Sequence, residues 1–275
     1  MKVLVADLFS EEGLKELANS GVEVHYDDKL NGDSLTKAMA EFQPNVLVVR
    51  STKVTAQHID ADPKLQMVVR AGAGYDTIDV SHCSKNGIYL TNCPGKNSHA
   101  VAELTLGLIL SIDRRIAEGV QLLKEGKWNK GLFANCAGIK GKTLGVVGLG
   151  SIGQLVIERA KAFEMEVLVH TRSKKEGLDK KLGFTYTQDL NHLLANSDVV
   201  SFHVPATPAT NGLVNEALLA HMKPNAAVIN TSRGTLVNEA DLHAHLEKNP
   251  EFWYGTDVFQ GEPSVKEGPF DHALA

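Results

Sequence analysis

Three glycines, one arginine and two carboxylates carry most of the chemistry that can be read from this sequence. Gly148, Gly150 and Gly153 stand in "TLGVVGLGSIGQLVIERAKAF", behind an apolar strand pattern and ahead of an amphipathic helix pattern. In that context the spacing points to a dinucleotide pyrophosphate. Gly148 permits the tight turn, Gly150 lets the backbone approach the phosphates, and Gly153 lets the helix pack on the strand. The amides of Ser151 and Ile152 are then left to face the phosphate oxygens. The competing reading is a turn whose glycines serve geometry alone.

The next strand pattern ends "VLVHTRSKK", with Thr171 and Arg172 where an acid selecting the ribose hydroxyls of NAD would stand. A carboxylate would repel a 2′-phosphate, whereas Thr, Ser and Arg donate to it and Arg pairs with its charge. The balance moves toward NADP. The alternative is that these are solvent-facing residues and the cofactor is NAD.

"VINTSRGTLVNEADLHAHL" delivers Arg233 to the carboxyl end of a strand, where ligands of open α/β sheets collect, with a planar fork suited to a carboxylate or carbonyl. A salt bridge holding the helix start is its bland counterpart. "YGTDVFQGEP" ends another strand at Asp257, with Glu262 in the loop behind it. Both are expected to share a crevice with Arg233. A carboxylate there can orient an imidazole and raise its basicity, as hydride transfer to a carbonyl requires of its proton donor. His203 in "FHVPATPAT", with Pro205 and Pro208 shaping its loop, is expected to wall the cofactor site.

Toward the amino terminus, "RAGAGYDTID" follows Arg70 with Gly72 and Gly74, whose amides could form an anion nest for a substrate carboxylate. Arg50, Ser51 and Lys53 in "VVRSTKV" could extend that surface to a phosphate. The remaining histidines show no paired ligand spacing, and no metal site is expected.

The elements that must position these residues alternate along the chain. Strand patterns fall at 2–8, 22–26, 45–50, 65–72 and 87–92, then at 143–149, 166–171, 198–204, 226–232 and 252–258, with helical periods between them. Continuous apolar strands joined through helices imply parallel sheets covered on both faces. The fold class is therefore α/β with two parallel-sheet domains. The first spans 1–95 and closes near Pro94 and Gly95; the second spans 96–275 and opens with one long helix running from Ser98 to the region of Trp128.

The 275 residues suffice for two such cores, and 43% hydrophobic with 22% charged residues is a globular composition. A formal charge of -5, from 28 basic and 33 acidic residues, offers no nucleic-acid footprint. The stretch from Arg172 to Lys181 reads as a solvated helix face. Cys83, Cys93 and Cys136 have neither disulfide nor CxxC spacing and read as reduced cytoplasmic thiols. The longest apolar run, Ala102 to Ile112, is half a bilayer span, so no membrane partner is expected.

"VVRAGAGYDTID", "NCPGKNSHAVAEL", "GKTLGVVGLGSIG", "HVPATPAT", "INTSRGTLVNE" and "TDVFQGEP" occur in an order that resembles the D-isomer-specific 2-hydroxyacid dehydrogenases over essentially the whole chain. Within them the likeness is strongest to short D-3-phosphoglycerate dehydrogenases. The resemblance implies a flavodoxin-like substrate domain, a Rossmann-type domain for NAD or NADP, and a 2-hydroxy or 2-oxo acid substrate, with 3-phosphoglycerate and serine biosynthesis as first candidates. A glyoxylate or hydroxypyruvate reductase using NADPH, or a dinucleotide sensor without turnover, stands beside it. It implies that Arg233 binds the substrate carboxylate and carbonyl, that Glu262 supports a catalytic histidine, and that Asp257 contacts the nicotinamide carboxamide. Amides around Ala71, Gly72 and Ala73 would hold the substrate carboxylate. His203, Val204, Pro205 and Thr231 would line the cofactor side, and a homodimer would form through the helix beginning near Ser98. The family's histidine lies beyond its "EP" motif, in a segment expected to follow the present sequence. A fragment lacking that segment, with the return of the first domain, is the favoured expectation, and His272 reads as a surface or helix-start residue.

Overall fold

The computed structural model describes residues 1–134, 136–262 and 268–274. They form two compact units, Met1–Asn97 and Ser98–Ala275.

The first unit carries strands β1 (Lys2–Val5), β2 (Glu23–Tyr26), β3 (Val46–Val49), β4 (Met67–Arg70) and β5 (Tyr89–Thr91). Its helices are α1 (Glu11–Asn19), α2 (Gly32–Phe42), α3 (Ala56–Asp60) and α4 (Val80–Lys85). The strands pair in parallel in the order β2-β1-β3-β4-β5, the flavodoxin-like arrangement. Side chains alternate across the sheet: Val3, Val5 and Val48 pack one face, while Leu4, Ala6, Leu47 and Val49 pack the other. An unbroken apolar strand is thus what a sheet covered on both sides demands.

The second unit holds β6 (Thr143–Val147), β7 (Glu166–His170), β8 (Thr185–Thr187), β9 (Val199–Phe202), β10 (Ala227–Asn230) and β11 (Trp253–Thr256). Its helices are α5 (Ser98–Arg114), α6 (Ile116–Lys124), α7 (Lys130–Ala134), α8 (Ser151–Ala162), α9 (Leu178–Leu182), α10 (Leu190–Asn196), α11 (Glu216–Leu219) and α12 (Glu239–Lys248). All strand pairs are parallel, in the order β11-β10-β9-β6-β7-β8. Counted from β6 as the first strand, this is the Rossmann order, with its switch point between β6 and β9. Leu144, Val146, Ala227 and Ile229 face one core, and Val147, Val200, Phe202 and Val228 the other.

Three local expectations are corrected. The helix from Ser98 breaks at Arg115, whose φ of 49° is left-handed, so that α5 and α6 are separate. Between α8 and α10 lies the short strand β8, which the apolar pattern does not reveal because only three residues pair with β7. The stretch Arg172 to Gly177 is an exposed loop, and only α9 behind it is helical.

Candidate functional site

In the second unit the strand ends build a continuous rim. Gly148 follows β6 with φ 104°, and its amide donates to the His170 carbonyl at 2.9 Å. A Cβ at Gly148 would run into the His203 carbonyl, and one at Gly153 into the carbonyl of Gly148. Gly150 differs. Its φ of −77° suits any residue, and a Cβ there would meet nothing within 4 Å. Glycine at this position keeps space open above the turn. α8 begins at Ser151, and the first acceptor bond of the helix runs from the Gln154 amide to the Gly150 carbonyl at 3.2 Å. The amides of Ser151 and Ile152 belong to the turn without intrahelical acceptors, so they present partial positive charge to that space. A pyrophosphate fits such a cradle.

Around the turn, His203 sits half-buried with Nε2 at 2.9 Å from Ser201 Oγ, and desolvation pushes its ring down to about 4. Near neutral pH the ring is uncharged. Val204 packs on the second core beneath Gly148, while Pro205 is exposed. Thr171 is half-buried and Arg172 exposed beyond β7. Local sequence did not point to Lys175, whose Nζ donates to the Leu149 carbonyl at 3.0 Å, inside the glycine turn. Tyr186 on β8 fixes that loop: its hydroxyl accepts from the Lys175 amide at 3.0 Å and donates to the Lys175 carbonyl at 3.1 Å. Lys174 Nζ lies 5.5 Å from the centre of the same ring. Three cations thus flank the end of β7. The signal for Lys175 is absent locally because its partner is 26 positions away.

Beyond β10, buried Asn230 shapes the turn that carries Arg233. Its Nδ2 donates to the Arg233 carbonyl at 2.9 Å and its Oδ1 accepts from the Ser232 amide at 3.1 Å. Ser232 Oγ donates to the Phe202 carbonyl at 2.7 Å, and Arg233 Nη1 to the Ser232 carbonyl at 2.7 Å. Gly234 is pressed against the backbone of Phe259 and Gln260, where any Cβ would collide. The loop bearing Arg233 and the loop bearing Asp257 and Glu262 are therefore in backbone contact. Burial and the nearby Glu262 carboxylate push the Asp257 carboxyl above its ordinary range, against the pull of the Arg233 guanidinium. These three charges form one electrostatic group. Glu262 Oε1 accepts from the Phe259 amide at 2.8 Å. Pro263 lies outside the described residues.

Two expectations in this unit change. Thr231 is only 7% exposed and its hydroxyl pairs with Thr105 Oγ1 of α5 at 3.0 Å, so its side chain is committed to the core. His272 is neither a surface nor a helix-start residue. It is half-buried, its Nε2 lies 3.1 Å from Glu239 Oε2, and its ring stacks on Phe270 and meets Phe259 edge-on. Its carboxylate partner is Glu239 rather than Glu262.

In the first unit, the anticipated surface is organised by a residue that motif reading passed over. Asp7, 7% exposed, accepts from the amides of Arg50, Ser51 and Thr52 at 2.8, 3.0 and 2.8 Å, and from Ser51 Oγ at 3.0 Å. Burial opposes its ionisation, but these donors outweigh it and hold the carboxyl below its ordinary range. Both donors of Ser51 are thus spent on Asp7, while the Arg50 and Lys53 side chains are exposed. Two of the amides expected to face a substrate carboxylate, those of Ala71 and Gly72, have acceptors within this unit. The Ala71 amide donates to the Val49 carbonyl at 2.7 Å and the Gly72 amide to the Arg70 carbonyl at 2.8 Å. A Cβ at Gly72 would strike the Arg70 guanidinium, so this glycine makes room for a folded-back side chain. Half-buried Ala73 offers its carbonyl to Asn92 Nδ2 at 2.6 Å.

A Rossmann-ordered sheet with a glycine cradle at its switch point defines a dinucleotide-binding unit. Residues 106–274 match the family model described as D-isomer specific 2-hydroxyacid dehydrogenase, NAD binding domain. The chain is 38% identical over 270 residues to a D-3-phosphoglycerate dehydrogenase of Methanocaldococcus jannaschii, covering 98% of this chain and 51% of that protein. It is 39% identical over 267 residues to a hydroxypyruvate reductase of Thermotoga maritima, covering 97% and 85%. Among solved structures, the TT0316 protein from Thermus thermophilus superposes with a TM-score of 0.84 at 33% identity, covering 98% of this chain and 85% of that one. An acyclic imino acid reductase in complex with NADPH and D-Arg gives 0.84 at 30% identity, covering 96% and 85%. The chain belongs to the D-isomer-specific 2-hydroxyacid dehydrogenase family, and its cofactor is NAD or NADP. It spans about half the length of the phosphoglycerate dehydrogenases it matches.

Proposed function

We propose that the protein interconverts a D-2-hydroxy acid and its 2-oxo acid, with 3-phospho-D-glycerate as the first candidate substrate. The observation that carries this reading is the joining of Arg233, Asp257 and Glu262 into one charged group on a unit with a dinucleotide cradle. A nicotinamide cofactor bound at the cradle would supply the hydride chemistry. Arg233 would pair with the substrate carboxylate and polarise the carbonyl, while Asp257 would orient the carboxamide. Glu262 would hold a histidine imidazole as proton donor to the developing alkoxide.

A reductase acting on hydroxypyruvate or glyoxylate with NADPH is the second reading. It is favoured by Arg172, Lys174 and Lys175 around the end of β7. Titrating the chain with NADH and NADPH, then measuring turnover of 3-phosphohydroxypyruvate, hydroxypyruvate and glyoxylate, separates the two. Arg172→Ala should weaken NADPH about tenfold while leaving NADH unchanged; equal effects on both would remove the phosphate-selecting role. Loss of all turnover in Arg233→Ala with cofactor binding kept is the expected signature of substrate polarisation.

The reading extends to a homodimer. Exposed Ile116, Val120, Leu123 and Trp128 border an apolar groove on α6, and Trp128 is 82% exposed. Such a contiguous patch fits burial by a second copy. Sedimentation of Leu123→Glu should give a monomer if that copy seats there.

A further inference from the structure

We infer that Glu239 is a positioning residue that staples the loop of Asp257 and Glu262 to the segment carrying Arg233. Its two carboxylate oxygens are divided. Oε1 accepts from the Gln260 backbone amide at 2.7 Å, and Oε2 faces His272 Nε2 at 3.1 Å. The Leu274 amide donates to His272 Nδ1 at 3.2 Å, which leaves Nε2 as the donor toward Glu239 in the neutral ring. Glu239 opens α12 behind the N-cap Asn238, so its backbone is fixed by a helix rather than by the loop it holds. The staple is reciprocal, because Gln260 Nε2 donates back to the Val237 carbonyl.

Between these bonds lies the contact of Gly234 with Phe259 and Gln260, where the two backbones have no room for a side chain. A loop pressed that closely can still slide along its neighbour, and a directional bond from a charged acceptor opposes sliding. Phe259 and Gln260 lie between Asp257 and Glu262, so holding the Gln260 amide sets where both carboxylates stand relative to Arg233. The two carboxylate oxygens of Glu239 are directed to Gln260 and His272. Its effect on chemistry passes through the loop, where displacements of about 1 Å can lower rates substantially.

The inference rests on the proposed reading of Arg233, Asp257 and Glu262, and its test keeps the two apart. Amide hydrogen exchange of the whole chain, resolved at Gln260, is compared among wild type, Glu239→Ala, Glu239→Gln and His272→Ala, with NADH affinity measured by fluorescence on the same samples. Glu239→Ala should speed exchange at Gln260 by about tenfold or more and weaken NADH. Glu239→Gln, which keeps an acceptor oxygen, should recover most of both, a rescue that general destabilisation would not give. His272→Ala should leave Gln260 exchange near wild type. Unchanged Gln260 exchange in Glu239→Ala, or equal damage from Ala and Gln, overturns the staple. Absence of NADH binding by wild type would count against the functional reading, while the exchange data would still judge the staple.

Discussion

At the carboxyl end of β3 the amides of Arg50, Ser51 and Thr52 converge on a carboxylate the chain supplies itself, Asp7. At the carboxyl end of β6 a similar convergence of amides, at the start of α8, faces open space above Gly150. The two turns crown parallel sheets of the same construction, yet one is internally neutralised and the other is left electropositive. A ring of strand-end amides becomes a ligand site only when no side chain of the protein occupies it. That difference separates a loop that presents side chains from a turn that receives a phosphate.

The comparison can be broken most severely at Gly148. Gly148→Ala places a Cβ against the His203 carbonyl at a φ that disfavours side chains, which should cost about 3 kcal/mol or more and abolish cofactor binding. Calorimetric melting and NADH titration would read both losses. Asp7→Ala comes next: leaving three strand-end amides without their acceptor should cost about 2–4 kcal/mol in denaturant unfolding, with no change in NADH affinity. An effect of Asp7→Ala on NADH comparable to that of Gly148→Ala would erase the distinction between the turns. Gly150→Ala sharpens it from the other side. With nothing within 4 Å of the added Cβ, the melting temperature should hold while NADH weakens about tenfold, roughly 1.4 kcal/mol.

The smallest expected effect is in acid. Asp7 binds its proton less readily folded than unfolded, so its contribution is present above the ordinary value of 3.8 and is lost as pH falls through the lower folded value. Asp7→Asn should therefore flatten the acid limb of the stability curve, in melting temperatures taken from about pH 6 down to about pH 3. Parallel limbs for wild type and variant would show that the carboxylate charge contributes nothing.

The strands and the glycine cradle were legible because each rests on a local pattern, short continuous apolar runs for the strands and the spacing of three glycines for the turn, while the two domain types came from the family resemblance. What escaped reading depends on partners far away in sequence. Asp7 meets Ser51 across 44 positions, Lys175 reaches Leu149 across 26, and His272 reaches Glu239 across 33. No period or motif encodes such pairs. Ser51 looked like a donor to a ligand because its acceptor lay in the turn beyond β1, and His272 looked solvent-facing because its carboxylate lay on α12. The break at Arg115 was hidden for a different reason. Neither Gly nor Pro marks it, and a left-handed arginine leaves no compositional trace.

The hydroxyl pair of Thr105 and Thr231 has a bearing on how this chain can diverge. Both side chains are sealed in the core, but Thr105 also donates to the Val101 carbonyl of its own helix at 2.8 Å, which makes Thr231 the donor within the pair. Replacing Thr105 by valine strands the Thr231 hydroxyl, whereas replacing Thr231 leaves Thr105 its backbone partner. Descendants should therefore lose the hydroxyl at 231 before the one at 105, so that these two distant positions carry an order of replacement.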